Sequence, residues 1–261
     1  MQKLQLFCLV QVLVIFLSCT KPATNPYSGE TYCPVTLDSN GDGNYTAHKA
    51  SENIVIDGKG NEKSWEKATW APIKYKWLGA DYTPQDFSGR YKILWKEDRI
   101  YYLVEITDNI LSDQRPDPFN DWWEDDCLEL FIDEDKSGGN HQFNHNAFAY
   151  HITLDYDAVD IGPDQKPHLY NKDVETKRTK NGNVYTWEVG MKVFKDTYKD
   201  GEDNVPVKLT EGKKLGFAVS YNDNDATGGR ENFVGSMEIP GEDKNRGWID
   251  AGLFGTLELV K

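Results

Sequence analysis

Forty-three acidic residues, five histidines and eight tryptophans are the side chains through which this 261-residue sequence could do chemistry. His141, His145 and His151 stand four and six positions apart, and on a helix the first two would share a face, as paired metal ligands do. The string HQFNHNAFAYH, however, follows a Gly138-Gly139 turn and runs into the strand-like FAYHITL, where this spacing does not converge. Polar loop residues are the expectation, with His151 lining a ligand site. A glycosidase-type acid/base pair needs two carboxyls at a fixed separation across the scissile bond. Asp125, Asp126 and Glu129 are too close in sequence to form an obvious opposed pair, and there is neither a Gly-x-Ser-x-Gly elbow nor a phosphate-cradling glycine loop. The sequence therefore reads as a protein that is not an enzyme.

The tryptophans divide by context. Trp65 and Trp70 flank a short helical stretch, Trp95 ends a strand, and Trp187 alternates with Tyr185 and Val189, all ordinary core positions. Trp122 and Trp123 instead occupy the loop RPDPFNDWWEDD, and Trp248 the polar loop NRGWIDAG, each just before a strand. Loop tryptophans on a rigid scaffold point to binding. The face of a sugar ring carries C–H groups that pack on an indole, and its rim carries hydroxyls that need carboxylate, amide or guanidinium partners.

The elements that must position these residues are short. Strands are expected near 54–57, 90–95, 100–107, 127–133, 147–155, 184–191, 215–221, 231–237 and 254–260, with helical turns at 61–68 and 193–198. Leu128, Leu130 and Ile132 alternate with Glu129 and Asp133, the pattern of a strand buried on one face. Many such strands separated by turn clusters predict an all-β, antiparallel β-sandwich of jelly-roll type over residues 51–261, with one or two short helices. Residues 1–18 read as a secretory signal: a lysine, then an apolar run too short to span a bilayer. Phe16-Leu17-Ser18-Cys19 resembles a bacterial lipobox, which makes Cys19 the lipid-bearing residue of a cell-envelope lipoprotein. Residues 19–50, rich in Pro, Gly, Asn, Thr and Ser, read as its flexible tether. Within them Asp38, Asn40, Asp42 and Gly43 imitate the start of a calcium loop, but Lys49 stands at the twelfth position, so a solvated turn is expected. Cys33 and Cys127 could pair in an oxidising compartment, although nothing in the sequence brings them within bridging distance. A net charge of -14 argues against nucleic acid and anionic membranes as partners; the membrane is met only through the lipid.

From residue 54 to 261 the chain resembles the family 9 carbohydrate-binding modules. The resemblance rests on VIDGKGNEKSW, YKILWKEDRIYYLVEITD, WEDDCLELFIDED, TWEVGMKV, GFAVSYNDND with Arg230 downstream, and GWIDAGLFGTLELVK, all in order. It implies a sandwich in which Trp123 and Trp248 grip a sugar ring, with Trp122 beside them. Glu129, Asn222 and Asp223 would accept hydroxyl hydrogen bonds, and Arg230 would donate. His151 stands where family members place an Arg. No cofactor is implied beyond structural calcium, for which Asp125-Asp126, the Asp133-Glu134-Asp135 turn and RPDPFND leave room, its ligands unassigned. The function implied is non-catalytic saccharide capture, with mono-, oligo- or polysaccharide as ligand and glycoside hydrolases or glycan-uptake proteins as partners. The alternative is an envelope spacer or interaction lipoprotein with the same sandwich and no sugar affinity.

Overall fold

Alternation of side chains lays down most of the strands in the computed structural model of the protein, which describes residues 40–225 and 228–261. Among these residues there are fourteen strands: β1 Asn44–Lys49, β2 Ala71–Ile73, β3 Tyr75–Gly79, β4 Phe87–Trp95, β5 Ile100–Asp108, β6 Cys127–Asp133, β7 Phe148–Ile152, β8 Ala158–Ile161, β9 Pro167–Leu169, β10 Val174–Asn181, β11 Val184–Met191, β12 Lys214–Asp223, β13 Asn232–Gly235 and β14 Gly255–Val260. The helical content is single 3-10 turns, at Lys63–Lys67, Trp122–Glu124, Arg246–Trp248 and Ala251–Leu253. The signal, Cys19, Cys33 and the tether up to residue 39 lie outside the described residues.

Hydrogen bonding runs in the order β10-β11-β5-β4-β1-β14-β12-β6-β7-β8-β9, with β2 on β4 and β13 bridging β12 and β3. The two wings of this path fold over each other. Phe87 of β4 stacks on Tyr221 of β12 at 5.6 Å, and Tyr91 meets Phe217 edge-on at 6.2 Å. Both wings thereby feed one core that includes Ile93, Tyr102, Val104 and Trp187 from one side and Leu130, Ile132, Tyr150 and Phe217 from the other. Each such side chain contributes about 1.5–3 kcal/mol of burial. This is the expected all-β sandwich, antiparallel except where β1 lies parallel to both β14 and β4.

That exception corrects the tether boundary. Residues 44–49 form a central strand, with Tyr45 and Ala47 buried and the Tyr45 hydroxyl donating to Thr69 O at 2.7 Å. Two inward apolar residues are too few for a visible alternation, and the preceding Gly-rich turn masked them. In that turn Asn40 accepts the Thr46 amide at 2.9 Å and Asp42 pairs with Lys74 at 2.8 Å, while Asp38, the first residue of the calcium-loop imitation, lies outside the described residues. Strands β2, β3, β8, β9 and β10 also escape the sequence: β2 and β9 have three residues, and β10 is a lysine-bearing edge. Residues 54–57 make no strand; Ile54 instead covers Leu94 and Leu103 in a smaller outer cluster with Trp65. Residues 193–198 are an irregular loop whose Val193, Phe194 and Tyr198 plug the core.

The opening Asp-Gly…Trp segment is structural. Buried Glu188 accepts the amides of Asp57 and Gly58 at 3.1 and 3.0 Å and the Trp65 indole N–H at 3.2 Å. Gly58 has φ of +78°, and a Cβ there would sit 2.9 Å from the Arg178 backbone, so no other residue fits this crossing.

Candidate functional site

The outward faces of β6, β7, β12 and β13 carry a second set of side chains. Register places Glu129 of β6 opposite His151 of β7 on one side and Ser220 of β12 on the other. Phe131, Ala149, Phe233 and Trp77 make the apolar part of this face. Trp77 lies so close over Gly235 that a Cβ there would fall 2.0 Å from its ring, and its N–H donates to Met237 O at 2.8 Å. Above this floor opens a cleft of about 300 Å³, walled by Trp122 and Trp123, by His141, Gln142 and Phe143, and by Asn245 and Trp248.

The walls are tied to the floor residue by residue. Trp122 is buried and props Trp123 edge-on at 4.7 Å. The Trp123 N–H donates to Glu124 Oε1 at 3.0 Å, while Glu124 Oε2 accepts the Arg230 amide at 2.9 Å. The Arg230 guanidinium lies 4.7 Å over Phe233 and donates to Asn222 Oδ1 at 2.7 Å. Across the cleft lining, His141 Nε2 donates to Gly247 O at 2.8 Å, which fixes the turn bearing Trp248.

Electrostatically, burial shifts the acids of the floor toward their protonated forms. Burial raises the Glu129 pKa to about 8, with Arg230 opposing the shift, and lowers that of His151 to about 3. The two form a neutral pair: His151 Nδ1 donates to Ala149 O at 3.2 Å, leaving Nε2 to accept the Glu129 carboxyl proton across 3.2 Å. Asp160 is pushed up to about 7 by burial, moderated by the amides of Ala149 and Ile161, each donating at 2.8 Å.

Six of the residues read from sequence as ligand contacts, Trp122, Trp123, Glu129, His151, Arg230 and Trp248, therefore line one cleft. Asn222 and Asp223 do not. Neighbouring strand residues face opposite ways, so the two could never share a slot. Asn222 lies under Arg230 and donates to Cys127 Sγ at 3.1 Å, whereas Asp223 turns to the far side. Asp160, Gln142, Phe143 and Asn245 were missed; only Asn245, three residues before Trp248, carried a signal, since a tight turn brings that spacing together. The histidines do not converge, for His145 bonds Asp200 at 3.1 Å while His141 and His151 have the partners given above.

Asp223 joins Asp108 and Asp126 in a buried group whose carboxylate oxygens lie within 4.8 Å of one another. Both Asp223 oxygens are buried without a hydrogen-bond partner. Burial, and then mutual repulsion, raises the pKa of Asp126 and of Asp223. An all-oxygen, partly orphaned donor set fits a hard divalent cation such as calcium. The Asp133-Glu134-Asp135 turn fits less well: Asp133 accepts the Gly138 amide, Asp135 that of Ser137, and Glu134 pairs with Lys213. Asp125 is likewise engaged by Arg115.

Fold and site together define a β-sandwich with an aromatic cleft on the outward face of one sheet. The chain belongs to the carbohydrate family 9 binding domain-like family, whose sequence profile matches residues 56–261. It is 28% identical over 207 residues to endo-1,4-beta-xylanase C of Paenibacillus barcinonensis and 25% identical over 209 residues to endo-1,4-beta-xylanase A of Thermotoga maritima. Each match covers 79% of this chain but only 16% and 17% of the respective enzyme, so the chain spans about one sixth of the length of these curated relatives. A family 9 carbohydrate-binding module of Caldicellulosiruptor kristjanssonii superposes with a TM-score of 0.63 in its cellotriose complex, at 18% identity over 83% of this chain and 93% of that one. Its glucose complex gives 0.60 at 17% identity over 82% and 95%.

Proposed function

We propose that the cleft binds a neutral saccharide ring between Trp123 and Trp248, and that the protein captures glycan without transforming it. The observation that carries this reading is the pair of partly exposed indoles lining one cleft whose floor also carries Glu129, His151, Asp160 and Arg230. C–H faces of a pyranose pack on the indoles; Arg230 donates to rim hydroxyls, Asp160 accepts, and Asn245 and Gln142 do either. Family membership and the cellotriose and glucose complexes of the structural neighbour support it. A net charge of -14 leaves neutral sugars unhindered and repels polyanions. In this proposal Cys19 carries lipid and holds the module on the bacterial envelope, where it presents glycan to hydrolases or uptake proteins. Asp108, Asp126 and Asp223 would hold a structural calcium ion, which supplies charge neutralisation where two wings of the sandwich meet.

The test is calorimetry of the purified protein against a panel of neutral mono- and oligosaccharides, with Trp123→Ala and Trp248→Ala beside it. Binding that either substitution abolishes, without loss of folding, supports the reading. Silence of the folded wild-type protein across the panel returns the function to an envelope spacer.

A further inference from the structure

The three histidines grouped in the sequence do not meet, yet His145 finds a different histidine, His168 of β9, at the edge of the sheet. Each of the two rings faces a carboxylate. His145 Nε2 donates to Asp200 Oδ2 at 3.1 Å, and His168 Nε2 donates to Asp164 Oδ1 at 2.8 Å. Gly162 brings the pairs together. A Cβ at that position would lie 2.8 Å from Asp200 Oδ2, 2.9 Å from His168 Nε2 and 2.7 Å from His168 Cδ2. Gly162 does not have a positive φ, so this crowding, and not the backbone, is what excludes a side chain there. None of the four polar residues lines the aromatic cleft.

Their neighbours hold them in place. The buried His145 ring stacks on Phe148 at 5.2 Å and meets Tyr198 edge-on at 5.1 Å. The Tyr170 hydroxyl donates to Asp200 Oδ1 at 2.9 Å, which leaves Oδ2 aimed at His145. Asn204 clasps the Asp200 loop, accepting the Lys199 amide and donating to the Lys199 carbonyl, both at 2.9 Å. Asp164 Oδ1 also accepts the Lys166 amide at 3.1 Å within the β8–β9 turn. Burial disfavours the charged form of His145, and His168 opposes that charge further, so the ring is ready in the neutral form that a metal ligand needs.

We propose that His145, His168 and Asp200, with Asp164 as the fourth ligand, bind a zinc ion at this edge of the sandwich. Two imidazoles and two carboxylates match the tetrahedral nitrogen and oxygen coordination of zinc, whereas the all-oxygen group of Asp108, Asp126 and Asp223 suits calcium. The 3.1 Å from His145 Nε2 to Asp200 Oδ2 is close to the roughly 3.3 Å between two ligands that each stand about 2 Å from a tetrahedral ion. The adjustment required is a rotation of the His168 ring from Asp164 toward Asp200, which its partial exposure permits. The ion pins the β8–β9 hairpin and the Asp200 loop to the loop of residues 141–146, whose Gln142 and Phe143 wall the cleft.

The experiment is calorimetry and thermal melting of the purified, tag-free protein with zinc chloride, for the wild type, His168→Gln, Asp200→Asn and His48→Gln. Calcium is present throughout, so that all-oxygen sites do not take up zinc. The expected result is one zinc per chain and a melting temperature that rises with zinc concentration. His168→Gln should weaken zinc at least about tenfold, the smallest loss expected even for an outer partner of a metal site, and abolish the rise in melting temperature. Asp200→Asn keeps an acceptor for Tyr170 while losing the charge, and should do the same; it gives a second reading should His168→Gln melt early without zinc. His48→Gln, an exposed histidine on β1, should bind zinc as the wild type does. A wild type that binds no zinc, or undiminished zinc affinity in folded His168→Gln or Asp200→Asn, overturns the site.

Discussion

Trp123 and Trp248 differ from the other tryptophans in what holds them. Each is partly exposed and set on a one-turn helix at the rim of the cleft, whereas Trp77 fills the space over Gly235 and Trp187 is wholly buried. Replacing either cleft indole by alanine should therefore weaken sugar binding at least about tenfold and shift the unfolding midpoint by no more than a few degrees. Trp77→Ala should cost about 3–5 kcal/mol of stability, which denaturant titration would read. The Glu129–His151 pair gives a second, pH-dependent test. Glu129 moves from an ordinary 4.5 to about 8 on folding, so across that window the native state holds a proton that the unfolded chain has released, and stability falls as pH rises. His151 moves from 6.5 to about 3, and over that span stability rises with pH because only the unfolded chain is protonated. Glu129→Gln should thus gain on the wild type between about pH 5 and 8, by up to about 1.4 kcal/mol per pH unit. Denaturant unfolding at half-unit pH steps checks this, and parallel curves would rule it out.

Elements contribute what single residues cannot. Strand β1 closes the path between β4 and β14, with registers His48 to Leu94 and Tyr45 to Leu257. A chain starting at residue 51 loses this central strand and leaves two edges open, so it should fail to unfold cooperatively, whereas one starting at residue 40 should melt in a single transition. Circular dichroism melts of the two chains decide the matter. The carboxylate group sits at the end of β5, just before β6 and at the end of β12. Without a cation these raised pKa values make stability fall as pH rises; with calcium bound, the deprotonated forms are the ones stabilised. Calcium should therefore raise the melting temperature more at pH 8 than at pH 5, and Asp223→Asn should remove most of that gain. No calcium effect at either pH would leave the group as buried neutral acids.

For the whole molecule, the lipid-anchor proposal predicts that Cys19→Ser releases the protein from the membrane fraction and removes the lipid mass from its N-terminal peptide. Fractionation with mass spectrometry reads both. Among the described residues no helix is long and apolar enough to cross a membrane.

The sequence by itself determined the strands that alternate strongly. Cys127–Asp133 and Val184–Met191 were legible to the residue, because each sets branched or aromatic side chains against polar ones with period two. It also marked out the loop tryptophans, since bulky apolar residues among Asp, Asn and Pro have no local reason to be there. Strand β1, with only two inward residues, and the lysine-bearing edge β10 were not legible, because neighbouring strands rather than their own pattern hold them in the sheet. The site divided in the same way. Six contacts read from motifs met in one cleft, yet Asp160, Gln142, Phe143 and Asn245 arrived from loops and strands far apart in the chain. Asp223 was turned away by the pleat alone. Local pattern fixes which face a residue takes; only the folding of one wing over the other decides what that face meets.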